Sequence, residues 1–214
     1  MKKAFLEKMF PKDGSNTPEI RFKGISGEWK QLKLFDIADI VGGGTPSTQI
    51  SEYWGGNIAW YSPTEIGNYV YADNSQKTIT ELGFENSSAK KLPANNTVLF
   101  TSRAGIGDMA ILRHEATTNQ GFQSFVLKRG YNPYFLFSSG HLIKKYALKN
   151  ASGSTFLEIS GKQLGNMDYK TPNGDEQTKI GEFYKNLDKL ILLNQEKLEK
   201  IKKLKKALLE KMLI

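Results

Sequence analysis

Four polar side chains in the middle of the chain have the types that grip nucleic acid. Arg103 stands between Ser102 and two glycines, Gly105 and Gly107. Such a turn lets a guanidinium project while backbone N–H groups meet a phosphate. Asn119-Gln120 and Gln123 carry amides, the group that pairs bidentately with adenine in a major groove. Around them Lys90-Lys91, Arg113 and Lys128-Arg129 are candidate phosphate contacts. Trp54, Trp60, Tyr61, Tyr69 and Tyr71 are aromatics set close to turn-forming residues.

Other chemistries find less support. The chain has two histidines, His114 and His141, and no Cys. That excludes a disulfide scaffold and leaves no cluster with metal-ligand spacing. Asn132-Pro133-Tyr134-Phe135 is one residue from an Asn-Pro-Pro-Tyr/Phe loop of the adenine-methylating type, but the second Pro is missing. No strand, Gly-rich turn and helix surround Gly105-Ile106-Gly107 to make a cofactor fingerprint. Asp13 with Glu28-Trp29-Lys30 has the spacing of a metal-dependent nuclease, yet Asp13 falls in a turn-rich connector.

The formal net charge of +8 is a weak guide until it is located. Residues 1–12 carry +3, residues 13–175 carry +1, residues 176–194 carry 0 and residues 195–214 carry +4. The excess sits at the two ends of the chain, while its middle is almost neutral. A Lys-rich helix face is usually a solvated one, so a nucleic-acid reading must rest on the local groups named above. No apolar run reaches the roughly 20 residues of a membrane span, and the N-terminus lacks a signal-peptide core. A cytoplasmic protein with no membrane association is expected.

The elements that must position these groups read as α+β. Residues 13–27 are rich in turn formers and make a connector. A short helix is expected over Leu32–Ile40. Strands are expected over Ile58–Tyr61, Tyr69–Tyr71, Thr97–Thr101, Met109–Leu112 and Phe122–Leu127. A helix from Asn132 to about Leu148 and a short one near Ser160–Leu164 follow. After Thr171-Pro172-Asn173-Gly174 there is no Pro and a single Gly. A heptad stripe then runs through Ile180, Phe183, Leu187, Leu190, Ile191, Asn194, Leu198, Ile201, Leu204 and Leu208, with Met212 widening it. Forty residues of helix make a rod of about 60 Å, and its seam calls for another helix. Asn194 at a core position is the kind of residue that fixes register. The division expected is 1–27, a short helical segment and connector; 28–172, a globular domain; and 173–214, a long spacer helix.

The two ends share a further feature. Lys2–Phe10 reads KKAFLEKMF and Lys205–Leu213 reads KKALLEKML, identical at seven of nine positions with two Phe/Leu exchanges. A unit whose start matches its finish suits tandem use or pairing with a twin.

Taken in order, several short motifs resemble the specificity subunit of type I restriction–modification systems, in a half-sized form. They are Trp29, Leu34 and Ile37 leading into Gly43-Gly44-Thr45-Pro46-Ser47; Tyr53-Trp54-Gly55-Gly56-Asn57-Ile58 with Trp60; and Thr101-Ser102-Arg103-Ala104-Gly105-Ile106-Gly107. Thr118-Asn119-Gln120-Gly121-Phe122-Gln123, Gly153-Ser154-Thr155, and Pro172 to Leu187-Asp188 complete the series. The resemblance covers nearly the whole chain. It implies a non-catalytic target-recognition domain reading one half of a split double-stranded DNA site, followed by a spacer helix. Full-length members carry two of each, with the helices packed antiparallel. This chain has one, so a homodimer joined by an antiparallel coiled coil is expected, reading an interrupted palindrome. The implied partners are a methyltransferase subunit, which would bring S-adenosylmethionine, and a restriction subunit; no cofactor or metal is expected in this chain. The candidate DNA contacts are Thr45, Ser47, Tyr61, Lys77, Arg103, Arg113, Asn119, Gln120, Gln123 and Lys128. Base readers are expected in the loops Tyr61–Lys77 and just after Arg113. The alternatives are a coiled-coil adaptor with an α+β head and, further off, a DNA adenine methyltransferase.

Overall fold

Two apolar runs, Thr97–Phe100 and Met109–Leu112, form strands β6 and β7, and every residue in both is buried. Alternation decides where each side chain goes. Val98 and Phe100 enter one core with Phe125, Phe135 and Ile143, while Leu99 enters a second with Tyr61, Leu112 and Phe122. A sheet covered on both faces needs no polar alternation, so these strands read as continuous hydrophobic segments. The computed structural model describes residues 2–12, 14–103, 105–153 and 156–212. Asp13, Ala104, Ser154, Thr155 and Leu213, each part of a sequence motif above, lie outside the described residues, as does the side chain of Met212.

In chain order the elements are α1 (Lys2–Lys8), β1 (Lys30–Lys33), α2 (Leu34–Ile37), β2 (Ala38–Gly42), β3 (Trp54–Tyr61), β4 (Tyr71–Ala72) and β5 (Lys77–Ile79). Then come α3 (Glu81–Glu85), β6, β7, β8 (Thr117–Thr118), β9 (Gln123–Leu127), α4 (Pro133–Ser138), α5 (Gly140–Asn150), α6 (Gly161–Gly165), β10 (Asp168–Thr171) and α7 (Gly174–Met212). The central sheet has the order β2-β9-β6-β7-β4, a small one β5-β3-β8, and β1 pairs with β10. The architecture is mixed α and β with a long C-terminal helix.

Three expectations change. Leu32–Ile40 is not one helix: β1 pairs antiparallel with β10 and β2 with β9, leaving a single turn, Leu34–Ile37, between them. Leu34 and Ile37 still reach the core, so the apolar spacing that suggested a longer helix is met by one turn. The helix over Asn132–Leu148 breaks at Ser139, whose Oγ donates to the Leu136 carbonyl at 2.7 Å and lies 2.7 Å from the Tyr169 hydroxyl. That competition with the helical ladder ends α4, and Gly140 lets α5 start against Met109. Strands β5, β8 and β10 were not foreseen.

Helix α7 begins at a cap: Asn173 Oδ1 accepts the Glu176 N–H at 2.9 Å. Asp175 and Glu176 occupy the first turn, where carboxylates suit the helix dipole. Arg21 of the connector grips Glu176 with both arms, at 2.8 and 2.7 Å, and the Glu176 side chain is 1% exposed. From Lys189 to Lys211 every residue is exposed. These 23 residues, about 35 Å at 1.5 Å each, stand clear of the head.

Candidate nucleic-acid interface

The two loops at one end of the central sheet carry the amides and Arg103. They leave from the Thr101–Phe122 bridge that closes the β6–β9 pair, and the Ser102 N–H donates to the Gly121 carbonyl at 2.8 Å. Thr101 clamps the arginine turn: its hydroxyl donates to the Gly105 carbonyl at 2.6 Å and accepts the Asp108 N–H at 2.9 Å. Arg103 emerges about one-third exposed, 4.0 Å from the Glu158 carboxylate. At that separation the pair is too long for a hydrogen bond, which leaves the guanidinium loosely held by Glu158.

Asn119 and Gln120 form the neighbouring loop. Asn119 Oδ1 accepts the Gly121 N–H at 2.8 Å, so part of this amide holds its own turn. Gln120 is exposed and accepts a hydrogen bond from the Thr45 hydroxyl. The segment bearing Thr45 is seated by close backbone approach. A Cβ at Gly43 would lie 2.1 Å from the Asn119 carbonyl, and the Gly44 N–H donates to the Thr118 carbonyl at 2.8 Å. Gln123 lies beside Gly42 and Gly161. Thr45, Arg103, Asn119, Gln120 and Gln123 thus occupy one end of the sheet.

Phe156 and Leu157, which follow the Gly153-Ser154-Thr155 motif and lie beside Arg103, escaped the sequence reading. Ser152 and Glu158 exchange two backbone hydrogen bonds at 3.0 Å, and the Ile159 N–H donates to the Ser102 carbonyl at 3.1 Å. Between them Phe156 is 77% exposed and Leu157 54%. Two adjacent apolar residues after a Ser/Gly run, with no periodicity to bury them, were the available signal.

The remaining candidates lie elsewhere. Ser47 and Lys77 flank Trp54, whose indole N–H donates to the Ser47 carbonyl at 3.1 Å while the Lys77 amine sits 5.6 Å from the ring. Tyr61 is revised from contact to core: it is 3% exposed, and burial first, then Glu65 and Asp73, pushes its hydroxyl up to about 12. Arg113 pairs with Asp73 at 3.3 Å and stacks 4.0 Å from the Tyr71 ring centre. Lys128 reaches the Phe35 carbonyl and lies 4.0 Å from Asp39. Both sit at the opposite end of the sheet from Arg103, about 17 Å away along β9. Asn132 caps α4 by accepting the Phe135 N–H at 3.0 Å, which accounts for Asn132-Pro133 without catalysis. Among the described residues no group of His, Cys, Asp and Glu is placed to hold a metal ion, and no helix is long and apolar enough to cross a membrane.

The helix stripe divides in two. Ile180 is corrected from interface to core, at 2% exposure, because α4 packs directly on the first turns of α7. Phe183 and Leu187 are half-buried against the same core. Beyond them Leu190, Leu198, Ile201, Leu204 and Leu208 are each more than half exposed, and Ile191 more than a third. Asn194 is exposed, donating to the Leu190 carbonyl at 2.7 Å.

Residues 26–203 match the family described as the type I restriction modification DNA specificity domain. The chain is 38% identical over 172 residues to the type I restriction enzyme MjaIX specificity subunit of Methanocaldococcus jannaschii, spanning 78% of this chain and 39% of that protein. It is 32% identical over 180 residues to the EcoR124I/EcoR124II specificity subunit of Escherichia coli, spanning 80% and 43%. The chain therefore spans about two-fifths of the curated relatives it matches. Its fold superimposes on the HsdS subunit from Thermoanaerobacter tengcongensis with a TM-score of 0.66 at 16% identity, covering 90% of this chain and 43% of that one. A chain from a type I R-M assembly gives 0.68 at 18% identity, covering 90% and 44%.

Proposed function

This chain belongs to the type I restriction–modification DNA specificity family, and from that premise we propose that it is the non-catalytic subunit that reads one half of a bipartite DNA site. Residues 28–172 serve as the reading head and residues 173–214 as the spacer. Two copies pair through antiparallel α7 rods, which hold the heads a fixed distance apart. A methyltransferase subunit, carrying S-adenosylmethionine, docks on the pair, and a restriction subunit joins for cleavage.

The observation that carries this reading is the free half of α7. A stripe of Leu and Ile over 23 solvated residues is unfavourable in isolation and is matched by a second identical stripe. The reading surface is the sheet end bearing Thr45, Arg103, Asn119, Gln120 and Gln123, extended by Phe156 and Leu157. Ser47 and Lys77, flanking Trp54, extend the surface towards the small sheet. Arg113 and Lys128, at the far end, serve as phosphate contacts at most.

The test is adenine-methylation mapping in cells with and without the gene, alongside the Arg103→Ala form. The expected result is an interrupted palindromic motif that disappears without the gene. Arg103→Ala weakens binding by about 1–3 kcal/mol and relaxes the motif. An unchanged methylation map, or a motif with no gap, overturns the proposal.

A further inference from the structure

Helix α1 and the two residues after it turn positions 2, 5, 6, 9 and 10 toward the head and leave 3, 4, 7 and 8 exposed. Lys2 pairs with Asp188 of α7. Phe5 meets Phe183 edge-on at 5.2 Å, and Leu6 is half-buried. Phe10, 3% exposed, packs on Phe135 at 5.6 Å and Tyr184 at 6.2 Å. From Lys2 at Asp188 to Phe5 at Phe183, α1 runs opposite to α7.

The sequence from Lys205 onward repeats this order of residues. Lys205, Leu208, Leu209, Met212 and Leu213 occupy the five offsets that α1 uses for contact, each chemically alike or identical to its counterpart. Leu208 is 53% and Leu209 48% exposed, so these two positions lack the cover that Phe5 and Leu6 have. The direction also fits, because a second α7 lying antiparallel approaches Asp188 with the polarity of α1.

Building on the antiparallel pairing above, we propose that the groove of Phe183, Tyr184, Leu187 and Asp188 beside Phe135 is a seat for Lys205–Leu213 of a second copy of this chain. Helix α1 is its resident occupant. Lys205 takes the place of Lys2 at Asp188, and Leu208 that of Phe5. The two Phe-to-Leu exchanges remove ring contacts, and α1 is tethered, so α1 outcompetes the second copy until it is loosened. Occupancy sets the register. With the tail seated, Ile191 faces Ile201 and Asn194 faces Leu198 of the other copy. With α1 in place, the tail of the second copy stops before Asp188, which forces a longer register and sets the heads farther apart.

The absence of native Cys makes disulfide trapping clean. The full chain carrying Asp188→Cys and Lys205→Cys is oxidised with and without Phe5→Ala and Leu6→Ala, two half-buried positions whose loss loosens α1. The expected result is a covalent dimer that rises roughly tenfold in the loosened form. Phe5→Ala alone gives the same comparison if the triple contact loss unfolds the head, as read by thermal melting. Dimers seen by light scattering but never trapped at these positions overturn the seat and leave rod pairing standing. Monomers throughout overturn both.

Discussion

The sharpest consequence of a stripe that is buried in one half and exposed in the other is that equally apolar residues on one helix should fail in opposite ways. Tyr184 is fully buried, touching Phe10 and Phe183. Tyr184→Ala opens a cavity in the head and costs about 3–5 kcal/mol. For a chain of this size that lowers Tm by roughly 6–20 °C. Leu198 and Ile201, 51% and 53% exposed, have little to lose in a single copy, and Ala in their place changes its stability by about 0.5 kcal/mol or less. In a paired rod each would bury its remaining half, worth about 1 kcal/mol. The double variant removes four such side chains across the two-fold axis, about 4 kcal/mol, which weakens the dimer by roughly three orders of magnitude. Sedimentation equilibrium measures the dissociation constant. Melting at two protein concentrations separates monomer stability from linked association. The reasoning is refuted if the Leu198→Ala/Ile201→Ala form dimerises as tightly as the parent, or if it melts as early as Tyr184→Ala at concentrations where both are monomeric.

Other outcomes follow from single contacts. Arg21→Ala strands a buried Glu176 carboxylate and is expected to cost about 3 kcal/mol, seen as a Tm fall of roughly 6–12 °C; Arg21→Ala with Glu176→Gln should recover part of it. Gly43→Ala drives a Cβ into the Asn119 and Thr118 carbonyls, and by overpacking costs about 1–3 kcal/mol while displacing the loop that presents Gln120. A gel shift should then lose affinity together with stability, unlike Arg103→Ala, which should lose affinity alone. Arg113→Ala and Lys128→Ala, at the opposite end of the sheet, should leave sequence preference unchanged in the same assay; a relaxed motif would move the reading surface to that end.

How much of this could be read from residues alone depends on what fixes each feature. Strands β6, β7 and β9 were legible because burial on both faces demands continuous apolar runs. Strands β5 and β8 are two or three residues long and exist only through their ladders with β3, so no local pattern announces them. Arg103, Arg113 and Lys128 looked equivalent as isolated cations. Their sorting to opposite ends follows from the antiparallel β6–β7 pair, Val98 opposite Ile111 and Phe100 opposite Met109. A hairpin drawn from the two apolar runs would have placed the Arg103 turn at its tip and Arg113 beyond its base. Phe156 was missed for the reverse reason: an exposed aromatic has no periodicity, and only the fold reveals its exposure.

The division of α7 was partly legible too, in a signal that heptad counting ignores. A seam between two identical rods needs apolar residues on a narrow stripe, whereas a helix lying on a head needs them, and small residues, on a broad one. Between Glu176 and Asp188 the buried positions are 176, 177, 180, 181 and 184. They include Gly181, where a Cβ would lie 2.7 Å from Asn132 Oδ1, as well as a glutamate held by Arg21. A coiled-coil seam favours Leu, Ile and Val at these positions rather than Gly, Glu and Tyr. Asp188 marks the boundary: it accepts from the Tyr134 hydroxyl at 2.9 Å and from Lys2, and the next residue is already solvated. Burial, with Asp188 beside it, raises the Tyr134 pKa and keeps that phenol a donor throughout the physiological range. The tie at 188 therefore marks where α7 leaves the head, fifteen residues into the helix.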